Sequence, residues 1–210
     1  MYKPKHFEPP DRQALFDLIN QYPLATLVIN TSSGISADHI PLRLHTAKDN
    51  KLLLQGHIAR ANPLMMEKTS GHAIAIFHGP ETYISPNWYP TKQEYGKVVP
   101  TWNYTTVHAS APLKFIDDPA WKLTFLEKLT DEHELNQEKP WSVSDAPKEF
   151  TQKLLSAIVG LEISIIDLSG KWKVSQNQPE QNQLGVRSGL EKIGHPDTKV
   201  LSGLKPNKPG

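Results

Sequence analysis

The sequence predicts an α+β protein dominated by β-structure, on three observations. Short apolar runs with strand-like alternation recur from Leu24 to Ile116. Amphipathic helical spacing becomes prominent only after Asp118. Eighteen prolines in 210 residues favour short elements joined by loops over long helices. A chain of this length can bury a sizeable core without staples. No stretch reads as a linker, so one domain with late helices packed on a sheet is expected, followed by a mobile tail over 191–210.

In order, Asp11 is placed to cap a first helix carrying Leu15, Leu18 and Ile19, which should stop near Asn20, ahead of Pro23. Leu24–Asn30 reads as a strand, Thr31–Gly34 as a turn and Ile35–Leu44 as a second strand, with Pro41 marking an edge or bulge. Lys51–His57 is a third strand. It leads to Asn62-Pro63, a helix opening with Asn as cap and Pro in the first turn. Arg60 lies just ahead of that opening and His57 three residues before it, a combination able to hold a phosphate or simply to be a capped helix with an exposed arginine.

His72–His78 reads as a fourth strand. Glu81–His108 then concentrates two of the five tryptophans and four of the six tyrosines beside Ser85, Asn87, Thr101 and Asn103. Flat faces next to directional polar groups suit a planar, polar-edged ligand, with ordinary aromatic packing as the alternative. Thr101–His108 and Ala111–Ile116 read as strands, Pro119–Leu135 as a helix capped by Asp118, and Pro147–Ile158 as another that Gly160 would end. After the Leu161–Leu168 strand, Lys171-Trp172-Lys173-Val174-Ser175-Gln176-Asn177 holds the side chains of an anion site, or of a solvated strand end. A helix over Pro179–Leu190 is weakened by Gly185.

Several classes lack support. Without cysteine, neither disulfides nor thiolate metal sites can form. The N-terminus has no signal-peptide run and no segment nears the roughly 18 apolar residues of a membrane span, so a cytoplasmic protein without membrane contact is expected. A net charge of +1 gives no global field toward nucleic acid. The nine histidines form no His-x-x-x-His or His-Glu-x-x-His spacing, and no metal site is expected. Dinucleotide, P-loop and nucleophile-elbow glycine motifs are absent, and no catalytic residue stands out.

The motifs MYKPKHF, PLATLV, HIPL, GHIARANP, YISPNWYP, VVPTWNY, Ile116–Pro119, PWSVSDAP, VGLEI and KWKVSQN occur in an order and spacing that resemble the PaiB-like FMN-binding negative transcriptional regulators of bacteria, from the N-terminus to about Leu190. The resemblance implies an antiparallel, Greek-key-like split β-barrel with peripheral helices, as in pyridoxamine-phosphate oxidases and flavin reductases, and a homodimer binding FMN near its interface. It places His57, Arg60 and Asn62 near the flavin phosphate and Thr101, Trp102 and Asn103 along the flavin. Lys173, Ser175 and Gln176 would complete phosphate or ring-edge contacts, and Tyr83–Tyr89 would form an adjoining wall or a dimer contact. The implied function is repression of transcription, with DNA as a partner. The alternative is a flavin-dependent oxidoreductase acting on nicotinamides or resembling pyridoxamine-phosphate oxidase. A third reading is haem binding, with His39, His57 or His108 as axial ligands.

Overall fold

The computed structural model describes residues 1–203. Asp11 caps the first helix as its position predicts: its carboxylate accepts from the Ala14 N–H at 2.9 Å, and α1 spans Gln13–Gln21. Strand β1 (Leu24–Thr31) buries Ala25, Leu27 and Ile29 on one face and pairs antiparallel with β2 (Gly34–Pro41) across a tight turn. Gly34 sits there at φ 122°, open only to glycine without strain. The expected strand to Leu44 is broken. Proline has no N–H to continue a ladder, Leu42 turns inward to 1 % exposure, and β3 (Arg43–Thr46) starts afresh.

Strand β4 (Leu52–Ala59) pairs antiparallel with β3 and with β7 (Ile158–Ser164). Asn62 caps the short 3-10 helix Pro63–Met66 by accepting from the Leu64 N–H at 2.8 Å. β5 (Thr69–Ile84) and β6 (Thr101–Ile116) are each sixteen residues long. The two strands expected at 101–108 and 111–116 are therefore one, and Ala109 and Ala111 are fully buried inside it. Between β5 and β6 lie a 3-10 turn (Pro86–Trp88) and α2 (Thr91–Tyr95).

Helix α3 (Pro119–Glu134) has its expected cap: Asp118 accepts from the Ala120 N–H at 2.9 Å. Helix α4 (Lys148–Ser156) ends at Ala157 and not at Gly160. Gly160 belongs to β7, where a Cβ would lie 2.3 Å from the Trp121 ring. It is there for close approach, not for helix termination. β8 (Asp167–Lys173), α5 (Glu180–Lys192) and α6 (Thr198–Leu201) follow. The tail expected from residue 191 thus carries the end of α5 and all of α6, with Leu201 and Ser202 buried. Positions 204–210 lie outside the described residues.

The sheet order is β2-β1-β5-β6-β7-β4-β3, with β8 also paired to β6. The sheet does not close, since β2 and β3 stand at its two ends. The fold is an antiparallel split barrel of the α+β class with peripheral helices. By residue contacts the chain divides into two compact units, one of residues 1–18, 78–107 and 169 onward, the other of 19–77 and 108–168. The first has a core of Ile84, Tyr89, Val174, Val186, Leu190 and Leu201. The second buries Leu27, Ile29, Leu42, Leu54, Leu161 and Ile163. No linker separates them in sequence because β5 and β6 each contribute to both. Among the described residues no helix is long and apolar enough to cross a membrane.

Candidate functional site

The first unit contains a cavity of about 220 Å³. Its polar lining comes from Lys97, Thr101, Asn103, Lys173, Ser175, Asn177 and Gln178, and its apolar wall from Phe7, Tyr89, Val98 and Val99. Two strand ends build the polar side. Alternation along β6 turns Thr101 and Asn103 to one face, and Lys173 closes β8 beside them. The Lys173 ammonium donates to Thr101 Oγ1 and to the Trp102 carbonyl. Past Lys173 the backbone turns sharply, with Ser175 in the left-handed region at φ 67°. Gln176 holds that turn: its Oε1 accepts from the Val174 N–H at 2.8 Å and its Nε2 donates to the Trp172 carbonyl. The fully buried Asn103 amide donates at 2.8 Å to Ser175 Oγ and at 2.8 Å to the Leu201 carbonyl.

The cavity is electropositive. Lys97 and Lys173 line it, and no carboxylate stands among its described lining residues. Burial, then the nearby Lys171 charge, pushes the Lys173 pKa below the usual lysine value. Lys171 itself sits among aromatic faces, its Nζ 5.4 Å from the Tyr104 ring centre, 5.8 Å from Tyr2 and 6.0 Å from Phe7. These contacts fix the second positive charge on β8 and anchor the N-terminal segment. Burial raises the Tyr89 pKa, partly offset by a hydrogen bond with Ser175, so its phenol stays neutral.

The second unit holds the other expected group. The Arg60 fork donates to both Asp117 oxygens, at 2.8 and 2.5 Å, and to the Ser156 carbonyl at 2.7 Å. Lys122, only 2 % exposed, donates to Asp117 at 2.9 Å and to the Leu155 and Ile158 carbonyls at 2.8 and 3.1 Å. Arg60 and then Lys122 hold the Asp117 carboxyl well below the usual carboxylate range. The Arg60 guanidinium is therefore already engaged by a carboxylate within its own chain. Asn62 uses its free amide N–H on Asp38 at 3.0 Å. Burial lowers the pKa of His57, which is neutral at pH 7 and meets the Phe125 ring edge-on at 6.0 Å.

Four of the nine expected residues, Thr101, Asn103, Lys173 and Ser175, are thus gathered in one cavity. Gln176 shapes its turn. Trp102 contributes its carbonyl while its ring, 55 % exposed, meets Tyr83 edge-on at 6.2 Å. His57, Arg60 and Asn62 lie in the other unit. Phe7, Tyr89, Lys97, Val98, Val99 and Gln178 line the cavity without having been singled out as binding residues. Tyr89 does fall within the expected Tyr83–Tyr89 wall, and Asn177 within the KWKVSQN motif. Among the described residues no three His, Asp or Glu side chains converge as a metal site.

The family described as "Putative FMN-binding domain" matches residues 1–167. The chain is 32 % identical to an uncharacterised protein of Emericella nidulans over 90 % of each chain. It is 27 % identical to the protease synthase and sporulation protein PAI 2 of Bacillus subtilis, over 99 % of this chain and 98 % of that one. In structure it is similar to the FAD and haem binding protein of Mycobacterium smegmatis, with a TM-score of 0.57 at 17 % identity over 79 % of this chain and 73 % of the other, a likeness of fold. With the match spanning most of its length, the chain belongs to the FMN-binding domain family, and FMN is the cofactor of that family.

Proposed function

We propose that the chain is a homodimeric, cytoplasmic regulator of gene expression that binds FMN in the cavity of its first unit and represses transcription by contacting DNA. The observation that carries this reading is the cavity's donor set: two lysines, the aliphatic hydroxyls of Thr101 and Ser175 and the side-chain amides of Asn177 and Gln178, with no carboxylate among the described lining residues. Ammonium groups and neutral donors suit a phosphate and a chain of hydroxyls. Phe7, Tyr89, Val98 and Val99 offer an apolar face beside them. FMN, when bound, supplies a redox-active ring. The protein's part is to neutralise the phosphate with Lys97 and Lys173, orient the polyol through Thr101, Ser175 and Asn177, and shield one side of the ring.

Dimerisation is supported by size and by surface. Ligand sites run from roughly 300 to 1,000 Å³, so a cavity of about 220 Å³ accommodates part of FMN and leaves the rest for a second copy to cover. Tyr83, Tyr95, Val99 and Trp102, all in this unit, are between 46 % and 73 % exposed. The regulatory reading draws on the resemblance to negative regulators, and on the similar Bacillus subtilis protein, whose name concerns protease synthesis and sporulation.

FMN titration of the apoprotein, followed by absorption and flavin fluorescence, tests the cofactor site. One FMN per chain is expected, and Lys173→Ala should raise Kd at least about tenfold, since hydrogen bonds to charged groups contribute about 1.5–3 kcal/mol. A protein that takes up no FMN overturns the reading. Gel shifts on the gene's own promoter, with and without FMN at two salt concentrations, test the regulatory part. Salt-sensitive binding that changes on FMN loading is expected. Sustained oxidation of reduced nicotinamide without DNA binding would make the protein a flavin oxidoreductase instead.

A further inference from the structure

We propose that the C-terminal segment from α6 to Gly203 is a latch that positions the cofactor cavity, so that its docking and FMN binding are energetically coupled. The inference rests on the FMN reading above and adds to it an element that lies beyond the 1–167 family match.

The latch touches the cavity lining at two backbone points. The Leu201 carbonyl accepts one N–H of the Asn103 amide at 2.8 Å, while the other N–H goes to Ser175 Oγ at 2.8 Å. Asn103 and Ser175 are both cavity-lining residues, 0 % and 3 % exposed. Two residues on, Gly203 at φ 70° crosses the turn that carries Ser175. A Cβ at this position would lie 2.1 Å from the Val174 carbonyl oxygen and 3.2 Å from the Gln176 nitrogen. Backbone therefore lies directly on backbone at the place where Ser175 adopts a left-handed conformation that serine seldom takes. The Leu201 side chain completes the grip, buried in one core with Val174 and with Tyr89, a third residue of the cavity wall.

Undocking the segment leaves a buried donor on Asn103 without its acceptor. It also removes the backbone that covers Val174–Gln176, freeing Ser175 to relax toward ordinary φ. Both changes occur in residues that line the cavity, so the docked latch and the binding-competent cavity are one state. Coupling of this kind is reciprocal: whatever the latch adds to FMN affinity, FMN adds to latch docking. A helix of four residues has little stability of its own, so α6 is held in place by the contacts just named and is released when they are lost.

The test uses the full chain. Hydrogen exchange of residues 198–203 is measured in wild type with and without saturating FMN, with α3 as internal reference, and FMN is titrated into wild type and Gly203→Ala. FMN should slow exchange in 198–203 at least fivefold more than in α3. Gly203→Ala should speed exchange there and raise the Kd for FMN about tenfold, within the usual range of coupling between sites. Unchanged exchange in 198–203 at saturating FMN overturns the latch, and this arm needs no variant to fold. A Gly203→Ala protein with a freed segment and a Kd within twofold of wild type also overturns it, leaving the FMN reading intact. Wild type that takes up no FMN overturns both.

Discussion

Lys173 is the residue at which binding and stability oppose each other. Burial, with Lys171 nearby, lowers its folded-state pKa, so the unfolded chain holds that proton more tightly than the folded one. The sign follows: without a bound anion, this group lowers stability while it is protonated. The loss disappears as pH rises through the folded pKa toward the ordinary lysine value. Lys173→Met should therefore raise the melting temperature of the FMN-free protein at pH 7 and flatten its rise with pH above neutrality, while weakening FMN binding. Thermal melts across pH, beside an FMN titration, check both halves; a less stable Met variant would refute the conflict. Lys173 and Ser175 were legible in the sequence because KWKVSQN concentrates anion-binding side chains. Phe7 and Lys97 were not, because only tertiary contact brings them to the same cavity.

At the scale of elements, glycines record where two pieces approach closely. Gly185 reads in sequence as a weak point in α5, yet a Cβ there would lie 1.9 Å from the Trp88 carbonyl oxygen. Gly189, one turn on, faces the Trp88 ring, with a Cβ 2.3 Å away. The helix accepts poor propensity so that the Ser85–Thr91 connection can lie against it. That contact is secured where Asn182 Oδ1 accepts from Thr91 Oγ1 at 3.1 Å. Alanine at 185 would gain up to about 1 kcal/mol of helix propensity. It should nevertheless cost about 1–3 kcal/mol net, because a backbone carbonyl cannot rotate away as a side chain can. Urea unfolding of Gly185→Ala measures this, and a variant as stable as wild type would contradict the packing described. Gly160 under Trp121 follows the same rule, which is why reading it as a helix stop failed.

At the scale of the whole molecule, the Arg60–Asp117–Lys122 group ties the end of β4 and α3 to the junction of α4 with β7. Asp117 carries the pH dependence. Its folded pKa is depressed, so its contribution is complete above the ordinary value of 3.8 and is lost as pH falls through the folded value. Asp117→Asn should melt several degrees below wild type at pH 7, since it leaves the buried Lys122 ammonium with only carbonyl partners. The gap should narrow progressively below pH 3.8. Melting curves of both proteins from pH 7 to pH 2 test this, and a gap that stays constant in acid would assign the loss to packing rather than to charge.

The sequence by itself determined the local grammar of the chain: the caps at Asp11, Asn62 and Asp118, the existence of strands β1, β4 and the start of β6, the late helices, and a motif order that named the family. Those features depend on near neighbours and on backbone chemistry, which a linear reading contains. The tertiary structure alone decided what depends on distant residues meeting. It joined two apparent strands into β6, divided the chain into two units interleaved in sequence, and committed Arg60 to Asp117. It gathered Phe7, Lys97, Asn103 and Lys173 around one cavity and brought the Leu201 carbonyl to the amide of Asn103. Spacing along a chain limits which residues can meet, but the closing of long loops and the packing of side chains choose which of them do.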